Sequence, residues 1–225
     1  EMEWDWPAGE MEYRRAIELN PNYATAHSWY GDHLRRRGRF EESLRETKLA
    51  EELDPLSLVI KTDVALALRT LGRLDEAIAK AREALEIDPG FINAHRVLGW
   101  IYEHQGLHED ALAEFRQVLS VSPGDVNATA GLGYVRARTG KKNEAQKILR
   151  QLREPSRSAP VPAFYLAIVE LGLGNQESCF AWLEKAFAER DYGMLTRIKG
   201  DERFAPLRPD PRFEDLLRRM GLPPD

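Results

Sequence analysis

Two histidines come closer to a metal site, by type and spacing, than any other residues in this sequence. His104 and His108 are four residues apart and are flanked by Glu103 and Glu109. Two histidines at this spacing on one helix can bind zinc from a common face. Gly106 lies between them, and because glycine commonly follows a helix end, we expect the two histidines on different helices around a turn. The sequence therefore predicts neither a bound metal nor another cofactor.

No other group of residues has the pattern of a catalytic site. Gly172-Leu173-Gly174 lacks the lysine and the serine or threonine of a phosphate-binding loop. Glu41 and Glu42 stand where a helix is expected to begin, where negative charge is favourable. The single cysteine, Cys179, excludes an internal disulfide, and we expect it to be an inert residue of the core. We therefore expect this chain not to be an enzyme.

Composition and charge narrow the classes of partner that this chain could bind. The 225 residues carry a formal net charge of −5, so no basic excess argues for nucleic acid. No apolar run approaches the roughly 20 residues that cross a bilayer, so we expect no membrane segment in this chain. A cytoplasmic location is expected, or a periplasmic one if a membrane helix lies upstream.

The elements of this chain are set by a repeat. Four prolines stand 34 residues apart, and a second series of glycines has the same interval. The prolines are Pro21, Pro55, Pro89 and Pro123, and the glycines are Gly38, Gly72, Gly106 and Gly140. Proline stops a helix and glycine commonly follows one, so each period predicts two amphipathic helices split by a glycine turn. A fixed period of this length is typical of stacked copies of one unit.

The third copy carries the clearest family pattern: Leu98-Gly99, Tyr102, Ala111, Phe115, Val118 and Pro123. With it, the chain resembles the tetratricopeptide repeat family over roughly residues 6 to 190. The resemblance implies an all-α fold, a right-handed superhelical solenoid of antiparallel helix pairs. The tail and the residues around Trp182 are similar to bacterial multidomain regulators in which such an array follows a kinase or a winged-helix domain. We therefore expect a piece of a larger bacterial signalling protein.

The repeat period also predicts the domain boundaries. Residues 1–21 match only the second helix of a repeat, so Trp4 and Trp6 would lie where an upstream helix packs. We expect three full repeats and a shortened fourth within 22–157, a degenerate fifth repeat, and a helical capping tail: 24–57, 58–91, 92–125, 126–157, 158–190 and 191–225. In the tail, Asp210 before Pro211 predicts the start of a helix.

In this family the first helix of each pair lines a concave groove. The positions that the resemblance places on the partner-binding side of that groove are Arg35, Arg36, Arg69, Asn93, Arg96, Trp100, Glu103, Asn127, Tyr134 and Arg138. Arginine and aromatic residues are enriched at interface hot spots, so we expect a peptide or protein partner with acidic and apolar side chains. The alternative is that the arginines are solvated and that Trp100 and Tyr134 pack against neighbouring helices.

Ser28 and Asp32 stand where some family members clamp the carboxylate of a chaperone tail. Asp32 would repel such a carboxylate, which argues against a chaperone-tail adaptor. The leading functional prediction is a non-catalytic protein-interaction scaffold. Two alternatives stay open: self-association through the open N-terminal end, and substrate positioning for an upstream kinase or cyclase.

Overall fold

The computed structural model describes residues 5–154, 160–191, 193 and 197–222. These residues form helices and turns, with no strand in the described ranges. They fall into two compact units. Unit 1 comprises Glu1–Val97, Lys199–Asp201 and Leu217–Asp225, and unit 2 comprises Leu98–Ile198 and Glu202–Leu216.

The helices follow the predicted period. Those of unit 1 are α1 (Trp6–Leu19), α2 (Ala24–Arg36), α3 (Phe40–Leu53), α4 (Leu58–Thr70) and α5 (Leu74–Ile87), and α6 (Ile92–His104) belongs to unit 1 as far as Val97. Unit 2 continues with α7 (His108–Val121), α8 (Val126–Arg138), α9 (Lys142–Arg153), α10 (Ala163–Leu173), α11 (Gln176–Ala188), a 3-10 helix at Glu202–Leu207, and α12 (Pro211–Arg219), which belongs to unit 2 as far as Leu216. The all-α fold of repeated helix pairs that the sequence predicts is confirmed.

The turn at Gly106 separates the two candidate metal ligands. Gly106 has a φ of 75°, a conformation that side chains other than glycine rarely adopt. Helix α6 ends at His104 before this turn and α7 begins at His108 after it, so the histidines lie on different helices as predicted. Within the described part of the chain, no three His, Cys, Asp or Glu side chains are grouped so as to hold a metal ion.

Close packing of α6, α7 and α8 depends on glycines that face one phenylalanine. A methyl group at Gly99 or at Gly131 would lie 2.6 Å from the ring of Phe115. Real side chains essentially never approach this closely, so the ring fills the space that the two glycines leave. Gly99 belongs to a column of small residues that stand 34 apart and predict close helix packing: Gly31, Ala65, Gly99 and Gly133. Phe115 itself is fully buried.

In unit 1 the end of the chain covers Trp6. The indole Nε1 of Trp6 donates a hydrogen bond to the Met220 carbonyl oxygen at 2.7 Å, and the ring lies edge-on to His33 with centroids 5.6 Å apart. The sequence predicts an upstream helix at this place, and the C-terminal segment is what contacts Trp6 here. Trp4 lies outside the described residues.

The tail is anchored by apolar side chains. Four apolar side chains of the tail are buried: Phe213, Leu216 and Leu217 on α12, and Met220 directly after it. The Asp210 carboxylate accepts a hydrogen bond from the Arg212 backbone N–H at 2.9 Å beside the helix start. Across the residues that can be described, no helix combines the length and the apolarity that crossing a bilayer requires.

Candidate functional site

The predicted groove residues lie on the first helices of the pairs, and each unit holds one set. We call the surface of α2, α4 and the start of α6 the first-helix face of unit 1, and that of the rest of α6, α8 and α10 the first-helix face of unit 2. Unit 1 holds Arg35, Arg36, Arg69, Asn93 and Arg96, and unit 2 holds Trp100, Glu103, Asn127, Tyr134 and Arg138.

Two arginines of unit 1 bind a carboxylate of their own helix. The guanidinium groups of Arg35 and Arg36 donate hydrogen bonds to the two carboxylate oxygens of Asp32. Burial alone would raise the pKa of Asp32, but the charges of the two arginines outweigh it and hold the pKa below its usual range. Much of the positive charge that the sequence suggested for an acidic partner is therefore balanced within α2.

Arg69 forms an ion pair with an acidic residue of the tail. Its Nη2 lies 3.5 Å from Oδ1 of Asp201, and both side chains are largely buried. The next residue back, Gly200, packs so closely that a methyl group there would lie 3.0 Å from the ring of Phe40 and 3.2 Å from a methyl carbon of Thr70. The segment Lys199–Asp201 thus occupies part of the first-helix face of unit 1.

Asn93 and Arg96 form a local pair at the start of α6. Arg96 Nη1 donates to Oδ1 of Asn93 at 2.8 Å, and Asn93 is exposed. Asn93 therefore presents its side chain to solvent at the start of α6.

A buried carboxyl group that no sequence motif indicates lies near Arg35 and Arg36. Asp63 on α4 accepts a hydrogen bond from the Ser28 hydroxyl at 2.6 Å. Burial raises the pKa of Asp63 from its usual 3.8 to about 6, and the negative charge of Asp32 adds to this, while Ser28 and the arginines oppose it. Asp63 therefore titrates near neutral pH.

Replacing Asp63 with asparagine should flatten the dependence of stability on pH. Because the pKa of Asp63 is higher in the folded chain, the native state binds a proton that the unfolded state releases, so the contribution of Asp63 to stability is greatest below pH 4 and is lost as pH rises through about 6. A shift of this size corresponds to about 1–3 kcal/mol. We expect Asp63→Asn to gain that stability at pH 7.5, measured by urea unfolding between pH 4.5 and 7.5. The exposed Asp54→Asn is the control, and parallel profiles for wild type and Asp63→Asn would contradict the assignment.

In unit 2 the two predicted aromatic residues are buried rather than exposed. Trp100 is 3% exposed and Tyr134 is 5% exposed. The Trp100 ring lies edge-on to Phe115 and Tyr134, with centroids 4.9 and 6.2 Å away, and its Nε1 donates to Oδ1 of Asn127 at 2.7 Å. The expected exposure of the two rings is thus wrong, and their packing against neighbouring helices follows the alternative interpretation.

An arginine of the tail covers these rings. The guanidinium carbon of Arg203 lies 3.7 Å from the Trp100 ring centroid and 5.8 Å from that of Tyr134. Arg203 is itself only 7% exposed. A desolvated cation over a tryptophan face is stabilised by about 2 kcal/mol, so this contact is a substantial anchor for the 3-10 helix.

Phe204, the residue after Arg203, is a second anchor for the 3-10 helix. Phe204 is fully buried, with its ring centroid 5.8 Å from Phe164 on α10 and 6.2 Å from Phe213 on α12. Separations of this size are typical of favourable aromatic pairs. Arg203 and Phe204 together hold the segment Glu202–Leu207 on the first-helix face of unit 2.

The remaining predicted residues of unit 2 divide into buried and exposed. Glu103 and Asn127 are buried, and Asn127 orients the Trp100 indole as its hydrogen-bond acceptor. Arg138 is exposed at the end of α8. Of the five predicted residues in unit 2, Arg138 is therefore the one that presents its side chain to solvent.

The tail residues that contact these faces are not predicted by the sequence. Asp201, Arg203 and Phe204 follow the last repeat and fall out of the 34-residue period, so no register assigns them to a neighbour. The only local signal is a charged residue beside a large aromatic one in a segment that is otherwise short and proline-containing.

Cys179 should be unreactive in the folded chain. It is fully buried on α11, and burial, with a contribution from the charge of Glu170, raises its pKa to about 12. Because the thiolate is the nucleophile, a thiol reagent at pH 8 should label Cys179 only in denaturant. The measurement is the rate at which a thiol reagent that releases a coloured product reacts with the chain, with and without urea. Rapid labelling of the native chain would contradict the buried placement.

Repeated pairs of antiparallel helices with close-packed glycines define this chain as a helical repeat protein. Comparison with family models matches a tetratricopeptide repeat model over residues 5–57 and 65–126, and a second tetratricopeptide repeat model over 104–161. Together the matches span more than half of the chain. The chain belongs to the tetratricopeptide repeat family.

Comparison with solved structures finds proteins of the same fold. A thermophilic tetratricopeptide repeat protein from Thermus thermophilus is 19% identical, with 87% of this chain and 99% of that chain covered at a TM-score of 0.61. A tetratricopeptide repeat protein from Parabacteroides merdae is also 19% identical, with 96% and 86% covered at 0.60. The protein MamA is 20% identical, with 70% and 90% covered at 0.54. These identities establish likeness of fold, and no curated protein sequence gave a significant match.

Proposed function

We propose that this chain is a non-catalytic protein-interaction scaffold that binds a peptide or protein partner on its first-helix faces. One observation carries the proposal: the face of unit 2 already holds a polypeptide segment, Glu202–Leu207, through Arg203 over Trp100 and Phe204 against Phe164. A surface that binds a segment of its own chain offers the aromatic area and the hydrogen-bonding groups that a separate partner needs.

The residues predicted from the sequence would have two roles in such a site. Trp100, Glu103, Asn127 and Tyr134 are buried and would form the floor of the site in unit 2. Arg138 in unit 2 and Asn93 in unit 1 are exposed and would contact the partner at the rim. An acidic partner in unit 1 would have to replace a carboxylate of the chain itself at Arg35, Arg36 or Arg69.

A matched pair of charge reversals tests the proposal. Arg138 on α8 and Arg116 on α7 are both exposed arginines of unit 2, but only Arg138 is on a first helix. A partner would be captured from lysate of the source organism, identified by mass spectrometry, purified, and titrated by calorimetry. We expect Arg138→Glu to weaken binding about tenfold, or ~1.4 kcal/mol, and Arg116→Glu to leave it unchanged. Equal affinities for the two variants would place the binding surface elsewhere.

Self-association is the second candidate, because α1 exposes Met11 and Leu19. Unpaired apolar side chains at the end of a repeat array can stack on a second copy. Light scattering over a range of concentrations separates the two candidates. A dimer that Met11→Glu dissociates would favour self-association. A monomer at all concentrations would favour partner binding. Placement within a larger bacterial regulator, and in the cytoplasm, remain predictions from the sequence.

A further inference from the structure

We propose that the segment Glu202–Leu207 is a built-in occupant of the first-helix face of unit 2. We further infer that the partners of this face carry an arginine followed by an aromatic residue, and that they bind by displacing this segment. The inference rests on the proposed function, because it names the chemistry of the partner that the same surface would recognise.

The chemistry follows from the two places that the segment fills. The first is the face of the Trp100 ring, whose negative charge density attracts a cation, and there the Arg203 guanidinium carbon lies 3.7 Å from the ring centroid. The second is the aromatic surface of Phe164, which Phe204 contacts at 5.8 Å between centroids. Because the two anchors are adjacent in sequence, an Arg–aromatic dipeptide in another chain can reach both.

The backbone of the segment contributes little to its attachment. It is a six-residue 3-10 helix with Pro206 inside it, and such helices have weak backbone hydrogen bonds, of which proline removes one more donor. Its attachment therefore depends on side chains. Its main polar anchor is the buried guanidinium of Arg203, and removing that charge from water is costly. An apolar residue of similar volume usually packs against a core equally well. An arginine at this place favours recognition over permanent packing.

Tethering makes the segment a strong competitor. A ligand attached to its own site acts at an effective concentration on the order of millimolar, so a free peptide must compete against that concentration. The intact chain should thus bind an Arg–aromatic peptide weakly. A chain whose own segment is weakened should bind it more tightly.

The test uses a fluorescent nine-residue peptide with the sequence of residues 202–210, blocked at both ends. A control peptide has alanine in place of the residues corresponding to Arg203 and Phe204. Fluorescence anisotropy gives the dissociation constant for wild type, for Arg203→Gln, and for Arg208→Gln. Arg208 belongs to the same stretch of chain, and its ion pair is with Glu202 at 2.9 Å, so it is a matched control.

We expect the peptide to bind Arg203→Gln at least tenfold more tightly than wild type, because the competing segment loses its cation. Arg208→Gln should resemble wild type, and the alanine peptide should bind none of the three. On wild type, millimolar peptide should speed hydrogen exchange of residues 202–207, a readout that does not require any variant to fold.

Any one of three results with the peptides would overturn the inference. They are equal affinity of the peptide for Arg203→Gln and wild type, equal binding of the alanine peptide, and unchanged exchange at saturating peptide. A concentration-dependent dimer of Arg203→Gln would also overturn it, since a second copy would then supply the segment. If these occur while Arg138→Glu still weakens a captured partner, the inference fails and the proposed function stands. If both experiments fail, the proposed function fails as well.

Discussion

Replacing Phe115 with alanine is expected to lower the free energy of unfolding by about 3–5 kcal/mol. The ring is fully buried, contacts Trp100 at 4.9 Å between centroids, and fills the space left by Gly99 and Gly131. Glycine has no side chain with which to close the resulting cavity, so relaxation around the site should be small. Urea unfolding at pH 7.5 measures the loss.

A control on the same helix separates this effect from a general weakening of α7. Val121 ends the helix and is exposed, so Val121→Ala should change stability by no more than about 0.5 kcal/mol. Conversely, Gly131→Ala should cost about 1–3 kcal/mol despite the better helix propensity of alanine, because the added methyl group overlaps the Phe115 ring. A gain in stability on Gly131→Ala would show that the ring is not confined as described.

The second large effect is expected at Phe204. Phe204→Ala removes a fully buried ring between Phe164 and Phe213, which should lower stability by about 3 kcal/mol. Since the segment Glu202–Leu207 depends on side-chain anchors, its hydrogen exchange and that of α10 should also become faster. Unfolding in urea and exchange followed by mass spectrometry give the two readouts.

Pro206→Ala is the matched control for Phe204→Ala, because Pro206 lies in the same 3-10 helix but is exposed. It should leave stability and the exchange of α10 nearly unchanged. If Phe204→Ala were equally silent, the tail would not be held on the first-helix face of unit 2 by this residue.

Much of the fold could be predicted from the sequence because its signals are local. Pro55 and Gly72 act on the residues beside them, so their 34-residue spacing defines helix ends without any tertiary information. The column of small residues likewise predicts where helices approach, as Gly99 against Phe115 illustrates. Cys179 is buried, as expected of a residue of the core.

The site could be predicted only in part, because the tail is outside the period. The positions of Trp100 and Tyr134 on first helices are predicted correctly, yet the guanidinium that lies over both rings belongs to Arg203, more than 60 residues further along the chain. The partner of Arg69 is likewise Asp201. Asp63 was missed because its raised pKa comes from burial, which no local pattern indicates.

The contact between Arg203 and Trp100 holds the tail on the first-helix face of unit 2, and a double-mutant cycle tests it most directly. The cycle combines Arg203→Ala with Trp100→Leu, and the free energy of unfolding is measured for all four chains. A guanidinium 3.7 Å above the ring predicts a coupling of about 1–2 kcal/mol. Additive effects of the two substitutions, with no coupling energy, would contradict the placement of the tail on the first-helix face of unit 2.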